Sequence, residues 1–294
     1  MKNRIFKGAF TALVTPMNAD NSVDFEAVKA LATWQISEGI AGLVPCGTTG
    51  ESATMSADER QKVIQAVVEV AQGKVPVIAG AGGNNTRNAI EHQKRARDAG
   101  ADATLVVTPY YNKPTPEGLY RHYEAIADAV DIPMIAYNVP GRTGCDMLPE
   151  TYHRLLNIPA IVGIKEATGD ITRLSALLRG TRSTSLLSGD DPTSCPFLLL
   201  GGTGVISVTS NFLPKPFSEM VSAAMQGNTE KARKIHHELA PLFAGLFIES
   251  NPIPVKAALS MTKKIENNLR LPLVPMHKEN QLQLKRILEN GGWL

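Results

Sequence analysis

Hydrophobic and polar positions between Phe6 and about Met220 repeat one unit: a short apolar run, a turn rich in Gly, Thr, Pro and Asn, then an amphipathic stretch. Eight apolar runs can be counted, at 10–14, 39–45, 75–79, 103–108, 133–137, 161–165, 185–188 and 204–208. Continuous apolar strands separated by helices predict a parallel sheet covered on its outer side. The intervening stretches have helical spacing, as in Leu119, Tyr123, Ile126 and Val130, or Ile171, Leu174 and Leu178. Start signals agree: Ser56 with Glu59 three residues later predicts a capping box, and Pro116 suits a first helical turn. Eight such units predict an α/β fold of the (β/α)8 TIM-barrel type. A doubly wound open sheet would carry a Gly-rich phosphate loop after its first strand, where this chain has Thr15-Pro16-Met17-Asn18. After about Gly227 the strand pattern stops. Helical segments expected near 229–247, 254–261 and 278–289 form a C-terminal helical appendage, dividing the chain into a barrel, 1–227, and a helical domain, 228–294, with no low-complexity linker.

Composition narrows the chemistry. The 294 residues, 43% hydrophobic, can bury a sizeable core. A net charge of +2 spread along the chain provides neither a nucleic-acid stripe nor a polybasic membrane segment. No apolar run approaches a membrane span, and the N-terminal one is cut by Lys7 and Gly8. Cys46, Cys145 and Cys195 are odd in number and far apart, which points to a reducing compartment and a cytoplasmic protein. The six histidines lack HxxxH or HExxH spacing, so no metal site is expected.

In barrels of this type the chemistry sits at the carboxyl ends of the strands. The sixth run, Ile161-Val162-Gly163-Ile164-Lys165, drives a lysine out of a β-branched stretch. Alternation puts Gly163 and Lys165 on one face, so Gly163 is expected to leave room for the lysine stem. Removal from water favours the neutral amine, which attacks carbonyl carbons. Tyr137 ends the fifth strand as Lys165 ends the sixth, placing a phenol beside the amine. Thr48 and Thr49 lie in a glycine-flanked turn that can cradle a carboxylate, and Arg142, in a Pro-Gly-Arg-Thr-Gly turn, can clamp a second one. Tyr110 and Tyr111 form an exposed aromatic pair suited to loop packing or an oligomer contact. Two glycine-rich runs, 80–83 and 201–204, are weaker candidates; only the second has the position of a barrel phosphate loop.

The motifs Gly47-Thr48-Thr49-Gly50-Glu51-Ser52, Pro109-Tyr110-Tyr111-Asn112, Tyr137 to Gly144, Gly163 to Gly169, Ser188-Gly189-Asp190-Asp191, Gly204 to Val208 and Asn251-Pro252-Ile253-Pro254-Val255-Lys256 occur in the order and spacing of the dihydrodipicolinate synthase family. The resemblance covers essentially the whole chain. It implies condensation of pyruvate with L-aspartate 4-semialdehyde through a Schiff base on Lys165, without metal or organic cofactor. It also implies that Thr48 and Thr49 hold the pyruvate carboxylate, that Tyr137, Thr48 and Tyr111 relay protons, that Arg142 holds the second carboxylate, and that Gly189 and Ile206 line the pyruvate pocket through their backbones. In such proteins Tyr111 enters from a neighbouring subunit of a homotetramer. N-acetylneuraminate lyase and sugar-acid aldolases share the lysine and tyrosine, but Arg142 in its Val-Pro-Gly context favours the synthase. A keto-acid sensor would be expected to lack one of Lys165, Tyr137, Thr48 or Arg142, and all four are present. Ser52, Ala53, Asn84, Asn88 and Tyr110 match an effector site for L-lysine in inhibited members. Asn88 stands where those members carry a glutamate, and Ala57 and Arg60 where they often carry histidines, so weak or absent feedback is expected.

Overall fold

In the computed structural model, which describes residues 5–179 and 184–294, every predicted apolar run contributes a strand. These are β1 (Gly8–Ala12), β2 (Gly42–Val44), β3 (Ile78–Gly80), β4 (Ala103–Val107), β5 (Met134–Asn138), β6 (Ile161–Glu166), β7 (Ser185–Ser188) and β8 (Gly204–Ser207). All pairings are parallel, in the order β2-β1-β8-β7-β6-β5-β4-β3, and a bridge between Leu43 and Val77 brings the two edges together. The result is a TIM barrel with C-terminal helices, as the sequence predicts. β2 is shorter than its apolar run and ends at Val44, two residues before Cys46 turns into left-handed backbone, φ 57°. That turn lies across the end of β3, where a Cβ on Gly80 would stand 2.0 Å from the Cys46 carbonyl oxygen. The capping box of Ser56 and Glu59 opens helix Ala57–Ala71, and Pro116 opens helix Pro116–Ala129 behind the Thr115 cap.

Alternation along the strands sorts side chains into two layers. Phe10, Val44, Ile78, Leu105, Ile135, Leu187 and Ile206 fill the barrel, while Ala9, Leu13, Leu43 and Ala79 face the outer helices. One irregularity bears on the site. Met134 pairs with Ile161 but Ile135 with Gly163, so Val162 is an extra residue in β6. Beyond that bulge the register sets Tyr137 directly opposite Lys165.

The appendage consists of helices Thr229–Gly245, Ile253–Met261 and Lys278–Asn290. Its Leu239, Leu242 and Phe243 share one apolar cluster with Phe217 and Met220 of helix Pro214–Met225 and with barrel residues Leu13 and Val14. Two polar ties join the appendage to the turn after β2. Lys256 is wholly buried, donates to the Thr15 carbonyl at 3.0 Å and pairs with Glu51, whose other carboxylate oxygen accepts from the Arg270 backbone N–H at 3.1 Å. The Arg270 side chain grips Glu59, and chiefly through that hydrogen bond holds its carboxyl down at about 2. Among the described residues no helix is long and apolar enough to cross a membrane.

Candidate active site

At the carboxyl ends of the strands a cavity of about 230 Å³ opens, with Thr48, Thr49, Tyr137, Arg142, Lys165 and Gly189 in its wall. The barrel thus brings together six side chains or backbones separated by up to 141 positions in sequence (189 minus 48). Lys165 is buried, and its Nζ lies 4.4 Å from the centroid of the Tyr137 ring. Adjacent strands in register place the pair, because each residue is the last inward-facing one of its strand. An amine in this position has an apolar wall, a phenol beside it and an opening toward solvent. Such an amine, in its neutral form, can attack a carbonyl carbon.

Room for the lysine stem comes from a different glycine than the strand pattern suggests. A Cβ on Gly163 would collide with Ser185 of β7, 2.4 Å from its carbonyl oxygen, so that glycine serves strand packing. The lysine stem instead crosses Gly189, where a Cβ would stand 2.6 Å from Lys165 Cε and 2.6 Å from Ala167 Cβ. Gly189→Ala is therefore expected to push Lys165 out of line and slow any reaction at its amine about 100-fold, the cost of misplacing a reacting group by about 1 Å. Steady-state kinetics together with a melting curve close to wild type would check this; unchanged kinetics would contradict the contact.

Thr49 is buried while Thr48 is exposed to the cavity, and their turn ends at Glu51, which is in left-handed backbone and anchored by Lys256. Arg142 sits in the short helix Pro140–Thr143 after β5 and donates to the Asn251 carbonyl oxygen at 3.2 Å. Among the described residues it has no carboxylate partner within ion-pair distance, which leaves its guanidinium available to an anion. Ile206 packs with the barrel-filling side chains, and its side chain is not in the cavity wall. Tyr111 is 89% exposed, with φ 73°. Its backbone is pinned by a bond from its N–H to the Thr143 carbonyl, and Asn112 donates to the Asn84 carbonyl. The glycine run 201–204 enters the N-terminal end of β8, opposite the cavity, and Gly202 there packs on Phe197, so its phosphate reading is set aside. Sequence reasoning did not single out Asn251 or Phe247, which the appendage contributes to the cavity wall. The Asn-Pro-Ile-Pro motif was the only available signal for Asn251.

Ser52, Ala53, Asn84, Asn88 and Tyr110 converge on a second cavity of about 460 Å³, and Thr48 and Arg142 line both cavities. Arg60 lies in its wall, donating to the Gly80 carbonyl at 2.8 Å and resting 3.1 Å from His92. Burial, and then the Arg60 charge, pushes His92 down to about 4, so its ring is neutral at neutral pH. Among the described residues no carboxylate lines this cavity.

The model of the Dihydrodipicolinate synthetase family matches residues 5–291. A 4-hydroxy-tetrahydrodipicolinate synthase from Nitratidesulfovibrio vulgaris is 52% identical over 289 residues, covering 98% of this chain and 99% of its own. The chloride-inhibited dihydrodipicolinate synthase from Acinetobacter baumannii, solved in complex with pyruvate, superimposes with a TM-score of 0.96 at 47% identity, over 98% of this chain and 100% of its own. A dihydrodipicolinate synthase from Cyanidioschyzon merolae solved with lysine bound gives a TM-score of 0.95 at 40% identity, over 98% of this chain and 99% of its own. With a family match from end to end, a barrel that superimposes on solved members and an amine, a phenol and an arginine gathered in one cavity, the chain belongs to the dihydrodipicolinate synthetase family.

Proposed function

We propose that this protein condenses pyruvate with L-aspartate 4-semialdehyde through a Schiff base on Lys165. The observation that carries this is the Lys165 amine, buried against the Tyr137 ring in a cavity that also holds Thr48, Thr49 and Arg142. Lys165 attacks the pyruvate ketone and water leaves, with Thr48 and Thr49 holding the carboxylate. Loss of a methyl proton gives the enamine, and Tyr137 and Thr48 shuttle that proton and those of imine formation. The enamine carbon bonds to the aldehyde carbon of the second substrate, whose carboxylate lies on Arg142. Its amino group then attacks the imine carbon, closing the ring and expelling the lysine amine, so 4-hydroxy-tetrahydrodipicolinate leaves and the enzyme is regenerated. Gly189 shapes the pyruvate end by letting the lysine stem pass. Reductive trapping tests this. Incubation with pyruvate and borohydride is expected to leave one reduced pyruvyl adduct on Lys165, read by peptide mass spectrometry, and an adduct elsewhere or none would overturn the reading.

Tyr111 completes the relay of a neighbouring subunit in a homotetramer. Supporting this, the residue is 89% exposed on a left-handed backbone that the loops carrying Thr143 and Asn84 hold in place. An aromatic residue in that conformation is strained, and such strain persists where the ring has work to do. Sedimentation is expected to show a tetramer, and a fully active monomer would contradict the role.

Feedback by L-lysine is weak or absent. The second cavity presents Asn88 and the Arg60 cation where an entering ammonium needs a carboxylate, and an ammonium desolvated without one loses a few kcal/mol, about two decades of affinity. Calorimetric titration with L-lysine is expected to show no saturable heat at millimolar concentration; tight, lysine-specific binding would refute this.

A further inference from the structure

Asn251, from the segment entering helix Ile253–Met261, touches both groups assigned to carboxylates. Its side-chain Nδ2 donates to Thr49 Oγ1 at 2.9 Å, and its backbone carbonyl accepts from Arg142 Nη2 at 3.2 Å. It is 5% exposed, lines the cavity, and its own Oδ1 is buried without a partner. A threonine hydroxyl carries one proton and two lone pairs. With Asn251 N–H on one lone pair, the Thr49 proton has to point away from Asn251. Among the described residues no protein acceptor takes it, so it faces the cavity.

We propose that Asn251 is a positioning residue for pyruvate: by donating to Thr49 Oγ1 it commits the Thr49 proton to the pyruvate carboxylate, and through Arg142 it links that setting to the second-substrate end of the cavity. The role rests on the Schiff-base reading of the site. It assigns the appendage a part in chemistry that the barrel otherwise performs alone. Glu51 and Lys256 reinforce the arrangement, because the buried pair ties the Thr48–Thr49 turn to the same appendage helix that follows Asn251.

Asn251→Asp in the full-length protein separates this role from a packing role. The variant keeps the size and an acceptor oxygen but removes the N–H donor, so the Thr49 hydroxyl would turn its proton to the introduced carboxylate instead of to pyruvate. Half-saturation by pyruvate, read by borohydride trapping at Lys165 and by steady-state KM, is expected to rise about 10- to 100-fold, the range for a lost hydrogen bond to a charged group. Turnover at saturating pyruvate should stay within about threefold of wild type, since the lost contact holds the ground state and transition state alike. Asn251→Ala, which buries no new charge, carries the test if the aspartate variant fails to fold, with an expected rise of about 10-fold. Combined with Thr49→Val, the alanine change should add little further, as for two residues acting through one contact. A pyruvate half-saturation within about twofold of wild type in the folded variant, or full additivity with Thr49→Val, overturns the role of Asn251. A wild-type protein that forms no Lys165 adduct overturns the Schiff-base reading and this role together.

Discussion

Lys165→Ala is expected to lower turnover of pyruvate and L-aspartate 4-semialdehyde by roughly four orders of magnitude or more, while the melting temperature stays within a few degrees of wild type. The size follows from the mechanism. Without the amine there is no imine, and the enamine carbon must be generated from free pyruvate, so the covalent route is lost along with its rate gain. Stability is little affected because the lysine side chain lines a cavity, and its removal enlarges an open space without emptying a packed core. Lys165→Arg should be equally inactive, since a guanidinium keeps its proton at any working pH and cannot attack a carbonyl. Steady-state assays read beside borohydride trapping decide the matter. Residual activity above about one per cent, or an adduct that moves to another lysine, would show that the amine at this position is not the nucleophile.

The second large effect is on stability. Lys256→Met is expected to cost about 3–5 kcal/mol, because it leaves the Glu51 carboxylate buried with its charge partner removed. In a chain of this size that is a fall of roughly 10 °C in melting temperature. Adding Glu51→Gln should recover part of the loss, since a neutral amide tolerates the site better than an unpaired carboxylate. The double variant therefore melts above Lys256→Met, the reverse of what two independent destabilising changes would give. Thermal melts of the three proteins check this; a single variant that melts like wild type would mean that water or another cation reaches Glu51. Because Glu51 ends the turn carrying Thr48 and Thr49, the surviving folded fraction of Lys256→Met should also bind pyruvate more weakly.

Much of this protein could be read along the chain. The strand-helix period, the cap at Ser56 and the end of the strand pattern near Gly227 are local signals, and the barrel and appendage follow from them. The site was legible where a residue type is out of place locally. Lys165 in a β-branched strand and Arg142 after Val-Pro-Gly are conspicuous without any knowledge of their neighbours. Gly163 shows the limit. It shares a face with Lys165, as alternation requires, yet its absent side chain makes room for Ser185 of the next strand. Gly189, 24 positions beyond Lys165, makes room for the lysine, and no periodicity connects the two (189 minus 165).

The sequence by itself determined the elements, the end of the barrel where the candidate site opens and the lysine proposed as nucleophile, because each depends on short-range periodicity or on one residue's chemistry. Tertiary structure alone decided the rest. The bulge at Val162 sets Tyr137 opposite Lys165, the Lys165 stem passing over the turn after β7 makes Gly189 necessary, and the appendage returns Asn251 to Thr49 and Lys256 to Glu51 across 202 and 205 positions. Those contacts arise when the barrel closes and the appendage docks on it. Their partners are chosen by distance in space, which a chain records only through its complete fold.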